Sequence, residues 1–387
     1  MSQHIRSFQN ILIILPRQLG DILLGSSLAF ALRSTFPDAR ISWVADPMGR
    51  QLLEGHPALN EVLYYPVWKP LSFKQYLENP IESVKKLFAY FRKEFLFLRQ
   101  LRRSDYDLVV DSLSTPKTAI ISFMTGAPVR HGVQTRWNRN WAYTWLSNRK
   151  VWGAQYAAKA RLNLLSPLIG ADKTAHPLPE WLNSWIPVPP AVRARILSLL
   201  PELNLSEGHF AVLSPTSRRP LRQWPGNSYV ELAERLVRET GLKICWFWGP
   251  GEFEFTENLH RQLQEKLKSS NVDPSFSCMP PLLSLSEAGF MSGLSSVWIG
   301  NTNGLSHVAV AGGARTVQIF GPTSAEPWLH PNSEMHVSVQ RQSGCVRCNS
   351  NTCKIGTHEC MKLLGVDEVY KAALQVGIFS KKTTLGS

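Results

Sequence analysis

Four stretches of this 387-residue chain carry residue types whose spacing could do chemistry. The first is Asp21, in Pro16-Arg17-Gln18-Leu19-Gly20-Asp21, directly after the apolar run Ile11 to Leu15. A carboxylate near the first turn of a helix meets unpaired N–H groups. At the carboxyl end of a strand in an open α/β sheet it also lies where ligands gather. A plain helix cap explains the same residues equally well. The second stretch is Ser214-Pro215-Thr216-Ser217-Arg218-Arg219-Pro220-Leu221-Arg222-Gln223-Trp224-Pro225, where hydroxyls and three arginines come after a strand. Such groups suit a phosphate or diphosphate, although a chance basic loop gives the same composition. The third, Gly300-Asn301-Thr302-Asn303-Gly304-Leu305-Ser306-His307, is a polar turn opening a small-residue helix. Backbone N–H groups and the helix dipole favour an anion there. His307 falls about one turn inside that helix, where a buried, hydrogen-bonded structural histidine is the more common outcome.

The fourth stretch is the thiol series Cys345, Cys348, Cys353 and Cys360, spaced C-x2-C-x4-C-x6-C. Four thiols can hold a structural zinc or iron, though the spacing matches no common zinc module. Cys245 and Cys278 read as buried apolar residues. Asp105-Tyr106-Asp107 has the spacing of a metal-binding pair, but it precedes the strand at Leu108 and lies at the wrong end of a sheet. Solvated carboxylates are expected there. Asp111, at the right end of that strand, is the better candidate to touch substrate. No Gly-x-Gly-x-x-Gly comes after the first strand and no Gly-x-x-x-x-Gly-Lys-Ser/Thr occurs, which disfavours dinucleotide redox and P-loop chemistry.

The elements that must position these residues form two similar halves. Ile11–Leu15, Ile41–Ala45 and Leu108–Asp111 read as strands with helices between, one of them from about Ile22 to Ser34. In the second half Phe210–Leu213, Lys243–Phe247, Ser296–Ile299 and Thr316–Phe320 repeat the alternation, which demands parallel sheets. Prolines between His176 and Pro190 interrupt regular structure. Two domains are expected, residues 1–180 and 181–387.

Hydrophobic residues make up 44% of the chain, which carries 13 tryptophans and a net charge of +13. Residues 1–190 hold 23 Lys and Arg against 13 Asp and Glu, and the remainder 19 against 16, so the first half meets the acidic partner. Nucleic acid is disfavoured because no binding module accompanies the charge. An anionic membrane surface fits better. No stretch reaches the roughly 18 uncharged apolar residues that span a bilayer, and no signal-peptide pattern opens the chain. A cytoplasmic protein is expected.

Between Ser83 and Arg103 the residues Leu87, Phe88, Phe91, Phe95 and Leu98 recur at helical spacing, while Lys85, Lys86, Arg92, Lys93, Arg99 and Arg103 fall largely elsewhere. Interfacial helices have this pattern. So does a crossover helix packing its apolar stripe on the sheet.

Taken in order, these segments resemble the bacterial family-9 glycosyltransferases, the ADP-heptose:lipopolysaccharide heptosyltransferases, over nearly the whole chain. Gly20-Asp21-Ile22-Leu23 looks like the family's Gly-Asp-x-Leu loop, and Phe36-Pro37-Asp38-Ala39-Arg40-Ile41 is similar to the family's next segment. Asp107-Leu108-Val109-Val110-Asp111 and Thr125-Gly126-Ala127-Pro128-Val129-Arg130-His131-Gly132 resemble the third-strand and Arg-x-Gly segments. Arg222-Gln223-Trp224-Pro225 resembles Lys-x-Trp-Pro, and Gly300 to His307 the Gly-Asn-Asp-Thr-Gly-x-x-His motif. Phe320-Gly321-Pro322-Thr323 resembles Phe-Gly-Pro-Thr, and the four-cysteine tail is similar to that of the heptosyltransferase II branch. Thr302-Asn303-Gly304 stands where the family has Asp-Thr-Gly, and Ser27 where proline is usual.

The resemblance implies a GT-B fold of class α/β, two Rossmann-like domains with parallel sheets facing a central cleft, acceptor on the first and nucleotide sugar on the second. It implies an inverting, metal-independent transfer of heptose from ADP-heptose to the anionic lipid A-core of lipopolysaccharide, at the inner face of the cytoplasmic membrane. Asp21 would be the general base. Thr216, Ser217, Arg222, Glu252, Thr302, Asn303, Gly304 and His307 would bind the donor, with Glu252 at the ribose. Arg17, Asp111, Arg130 and Arg136 would meet the acceptor. No cofactor is required by this chemistry. Two other readings share the motifs: a related transferase with another nucleotide sugar or acceptor, and a catalytically silent homologue that binds nucleotide or lipid.

Overall fold

The structure is a computed structural model that describes residues 7–66, 80–135, 139–148, 150, 155–341 and 348–377. Arg136 and Cys345 lie outside the described residues. The chain divides into two compact units, Met1–Asn183 and Ser184–Ser387.

The first unit is built on six parallel strands, β1 (Asn10–Ile14), β2 (Arg40–Ala45), β3 (Glu61–Tyr64), β4 (Leu108–Asp111), β5 (Val129–Val133) and β6 (Trp145–Ser147), in the order 3-2-1-4-5-6. Ile11 to Ile14 have no exposed surface, as a strand covered on both faces requires. The helix Leu19–Thr35 packs so closely on the sheet that a Cβ on Gly25 would lie 2.4 Å from Leu15 and 2.8 Å from Trp43. Glycine permits that approach.

The second unit repeats the plan with β7 (Phe210–Ser214), β8 (Lys243–Trp246), β9 (Ser277–Cys278), β10 (Val297–Asn301), β11 (Thr316–Phe320) and β12 (His336–Gln340), ordered 12-11-10-7-8-9. Counted from its own first strand this is the same Rossmann order, and every pairing is parallel. Its core joins Trp224, Tyr229, Trp246, Ile299 and Met361. Each sheet therefore has one topological switch point, between β1 and β4 and between β7 and β10. Ligands of such sheets bind outside the strand ends there.

The expected strands at Ile11, Ile41, Leu108, Phe210, Lys243, Ser296 and Thr316 all form. The helix Pro80–Arg103 buries Phe97 and Leu101 against Tyr65, Val109 and Ile121, with Leu98 partly inside. Phe88, Phe91 and Phe95 are exposed. The stripe that packs is thus rotated away from the one the spacing picks out. No helix among the described residues is long and apolar enough to cross a membrane.

Candidate active site

At the first switch point Ile14 of β1 sits beside Asp111 of β4. The chain leaves β1 through Leu15-Pro16-Arg17-Gln18 and enters the helix Leu19–Thr35, so Asp21 lies in the first helical turn. It does not cap the helix: Gln18 holds that position, without a side-chain bond. Asp21 Oδ1 instead accepts a 2.6 Å hydrogen bond from Arg161 Nη2, and Oδ2 lies 3.5 Å from Arg17 Nε. The Asp21 side chain is 17% exposed and that of Arg161 is 3% exposed. Burial pulls the Arg161 pKa down, and the Asp21 carboxylate opposes that pull. Ser27 Oγ, 2.9 Å from Leu24 O and 3.4 Å from Ala158 O, links the helix of Asp21 to the helix Ala157–Leu164 that carries Arg161.

Asp111 departs from expectation. It is completely buried, accepting N–H bonds from Leu113 (2.9 Å) and Ser114 (3.0 Å) and the Tyr143 hydroxyl at 2.7 Å. Burial raises its pKa, against these hydrogen bonds. Its carboxylate shapes the turn after β4 and is closed to a ligand. Arg130 donates to the carbonyls of Ala142 (2.8 Å) and Ala127 (2.5 Å), so the chain itself engages much of its guanidinium. Arg17 is exposed. Asp107 is not merely solvated: its oxygens accept the N–H groups of Gln9 (2.7 Å) and Asn10 (3.1 Å), anchoring the start of β1.

At the second switch point Ser214 pairs with Gly300, where a Cβ would come within 2.8 Å of Ser214 O. Asn301, fully buried, donates to Pro215 O (2.8 Å) and accepts the Trp224 N–H (2.9 Å), tying the end of β10 to the loop after β7. Thr216 donates its hydroxyl to Glu252 Oε2 at 2.7 Å, and the same oxygen accepts the Gly249 N–H at 2.8 Å. Asn303 Nδ2 donates to Thr216 O at 3.1 Å while its Oδ1 caps the helix Gly304–Ala311 through Leu305 (2.8 Å) and Ser306 (3.2 Å). Thr216, Glu252 and Asn303 are thus one connected group.

Arg222 is half-buried, 3.3 Å from Asn349 Oδ1, and burial together with Arg219 lowers its pKa. Ser217 Oγ accepts the Arg219 N–H at 3.3 Å. Thr302 is buried, and its N–H bonds Ile319 O at 3.1 Å. His307 is buried in the helix Gly304–Ala311, its ring 6.1 Å from that of Trp328. The helix end at Gly304 has the connected Thr216, Glu252 and Asn303 group beside it, and a helix N-terminus with hydroxyl and amide groups at hand suits a diphosphate.

Of the four thiols expected to hold a metal, Cys345 lies outside the described residues, and Cys348, Cys353 and Cys360 line one pocket with His358. Cys360 packs in the hydrophobic core beside Met361, Cys353 accepts the His358 N–H at 3.4 Å, and Cys348 is exposed. Among the described residues no group of three or more His, Cys, Asp or Glu is placed to hold a metal ion. Cys245 is buried as expected, and Cys278 only partly. Asn301 joins the site from inside a recognised motif without being singled out there, whereas nothing local in the sequence marks Arg161.

A profile of Glycosyltransferase family 9 (heptosyltransferase) matches residues 95–358. Lipopolysaccharide heptosyltransferase 2 of Escherichia coli (strain K12) is 26% identical over 336 residues, 82% of this chain and 84% of that one. Among solved structures, the glycosyl transferase family 9 protein from Veillonella parvula DSM 2008 superposes with a TM-score of 0.73 at 17% identity, covering 96% of this chain and 98% of that one. The E. coli ADP-heptose lps heptosyltransferase II gives 0.64 at 21% identity, covering 95% and 99%. Both likenesses concern the fold, which is GT-B. By its matched residues and its two Rossmann units, the chain belongs to glycosyltransferase family 9, the heptosyltransferase family, and is a glycosyltransferase enzyme.

Proposed function

We propose that this enzyme transfers a heptose from ADP-heptose, with inversion, to the inner core of lipopolysaccharide. The observation that carries the reading is the state of Asp21: a carboxylate at the β1 switch point, with Oδ1 bound by a buried arginine and Oδ2 facing the exposed Arg17. Oδ2 then takes the proton of the acceptor hydroxyl as that oxygen attacks the anomeric carbon. The new glycosidic bond forms as the bond from the anomeric carbon to the ADP oxygen breaks, and both electrons leave with ADP. The first unit binds the anionic lipid A-core through its basic surface, with Arg17 and Arg136 as contacts.

In the second unit Arg222, Thr216, Ser217 and the N-terminus of the Gly304–Ala311 helix meet the charge that grows on the departing diphosphate. Glu252 takes the ribose, and Thr302 and His307 line the sugar side. Charge stabilised in this way asks for no divalent metal. The lipid-borne acceptor puts the enzyme at the inner face of the cytoplasmic membrane.

Thermal unfolding with ADP, UDP, GDP and CMP tests the donor, because a ligand that binds only the folded state raises its stability. ADP alone should raise the Tm, and ADP-heptose with a heptose-free lipid A-core should give an inverted glycoside by mass spectrometry and NMR. Stabilisation by another nucleotide alone would replace the donor.

A further inference from the structure

The solvent side of the helix Pro80–Arg103 carries a second apolar ridge that the fold does not use. Ile81, Val84, Phe88, Phe91 and Phe95 succeed one another at steps of three or four residues, and all are exposed, Phe88 to 71%, Phe91 to 55% and Phe95 to 62%. At about 100° per residue they form one line along the helix. Lys85, Arg92, Arg99 and Arg103 run beside that line and are exposed as well. The inward stripe is separate and satisfied: Ser83, Phe97 and Leu101 are buried, Phe97 meets Tyr65 edge-to-face at 5.4 Å, and Glu94 accepts the Tyr65 hydroxyl.

The neighbouring helix Pro116–Thr125, packed against this one, also turns Ile120, Phe123 and Met124 outward, and Phe123 meets the exposed Trp141 at 5.1 Å. Monomeric proteins rarely expose so many large apolar residues together unless something covers them.

We infer that this face of the first unit docks on an anionic phospholipid bilayer, the phenylalanine ridge entering the headgroup boundary and the basic row meeting lipid phosphates. The inference rests on the reading that the acceptor is borne by a membrane lipid, and it assigns the surface that reaches it. Charge decides the occupant. The helix carries seven Lys and Arg against Glu82 and Glu94, and those two are already engaged, with Lys86 at 2.7 Å and with Tyr65. A second copy of the chain would bring the same positive charge to the contact. An anionic surface is attracted to it, each basic residue adding to the binding of the aromatic ridge.

The test is flotation of the full chain with phosphatidylcholine vesicles that contain or lack phosphatidylglycerol, at low and high salt. The wild type should float only with the anionic vesicles and release as salt rises. A Phe88→Ser/Phe91→Ser/Phe95→Ser variant should bind at least about tenfold more weakly, from the lost aromatic burial. Lys85→Glu/Arg92→Glu/Arg99→Glu should abolish binding, and both variants should keep the wild-type Tm because every changed side chain is exposed. The inference is overturned if the folded wild type ignores anionic vesicles at low salt or if either variant floats as the wild type does. It is equally overturned if sedimentation shows a wild-type dimer that the phenylalanine variant dissolves. The vesicles contain neither nucleotide nor sugar acceptor, so a failure here leaves ADP stabilisation and transfer as a separate result.

Discussion

Arg161 Nη2 donates to Asp21 Oδ1 at 2.6 Å, across 140 residues of chain, from a side chain that is almost wholly buried. A guanidinium removed from water needs its counter-charge. The pair therefore holds the helices Leu19–Thr35 and Ala157–Leu164 together while it leaves the other carboxylate oxygen toward Arg17. Chemistry and folding are joined at this carboxylate, and a substitution must be chosen to separate them.

Asp21→Asn retains an oxygen for Arg161 and removes the basic site. The amide oxygen still accepts from Arg161 but supplies no counter-charge, so the Tm should fall, less than in Asp21→Ala, while transfer falls at least about a hundredfold, the usual scale for a lost general base. Asp21→Ala removes both the counter-charge and the hydrogen-bond acceptor from the buried guanidinium, and should lose about 3 kcal/mol or more as well. Calorimetry beside a product assay separates the two effects. An Asp21→Asn protein with normal turnover would remove Asp21 from the mechanism.

Asn303 stands where the family motif carries threonine, and it caps the helix Gly304–Ala311 through two backbone N–H groups. Asn303→Ala should cost about 1 kcal/mol, a fall in Tm of about 2–4 °C for a unit of this size. It also frees the carbonyl of Thr216, so affinity for nucleotide should drop with the Tm. Asn303→Asp, which keeps the cap but loses the donor to Thr216 O, should recover only the cap's share of the stability. Differential scanning calorimetry of the three proteins reads the order.

The central strands are legible in the sequence because they are buried on both faces and read as apolar runs, Ile11–Leu15 and Phe210–Leu213 above all. β5 is not, since Val129-Arg130-His131-Gly132-Val133 interrupts its apolar residues, and β6 and β9 are only three and two residues long. The site's local parts can be read from hydroxyls, arginines and glycines at strand ends. Its distant parts cannot. Arg161 enters only because the fold carries a helix back to Asp21, and Asp111, at the expected end of β4, is closed off by Tyr143, which no spacing rule connects to it.

Glu252 organises rather than simply awaits a ligand: one oxygen holds both the Thr216 hydroxyl and the Gly249 N–H. Glu252→Ala should release the loop after β7 and the turn after β8 together. If these present the donor, ADP binding by calorimetry should weaken at least about tenfold, less than the full worth of two charged-acceptor hydrogen bonds because these organise the loops instead of touching the ligand. Thr216→Val, which removes one of the two, should lie between. Unchanged affinity in both would place the nucleotide elsewhere.

Acid should destabilise both units over the same interval, through histidines that folding holds neutral. In the first unit burial lowers the pKa of His56 and His131 from 6.5 to about 4. In the second it brings His330 to about 4 and His336 to about 3, with His330 and Arg315 adding to the effect on His336. A histidine whose folded pKa is depressed contributes fully above its unfolded pKa, and that contribution is lost as pH falls from about 6.5 toward the folded value. Each such ring removes about 1.4 kcal/mol per pH unit in this window. Two rings in each unit give similar slopes, and His260, which burial also lowers, adds to the second. Asp111 works the other way, since a carboxyl whose folded pKa is raised by burial favours the fold as pH falls, and so it opposes the histidines of the first unit. Calorimetric scans from pH 7 to pH 5 should show both transitions moving down, the second unit's at least as fast as the first's. His131→Gln, which can still face Ser147 Oγ at 2.9 Å from the present ring nitrogen, should flatten the first unit's slope by one proton and leave the second's alone; an unaltered slope would mean that His131 is not the buried group that titrates.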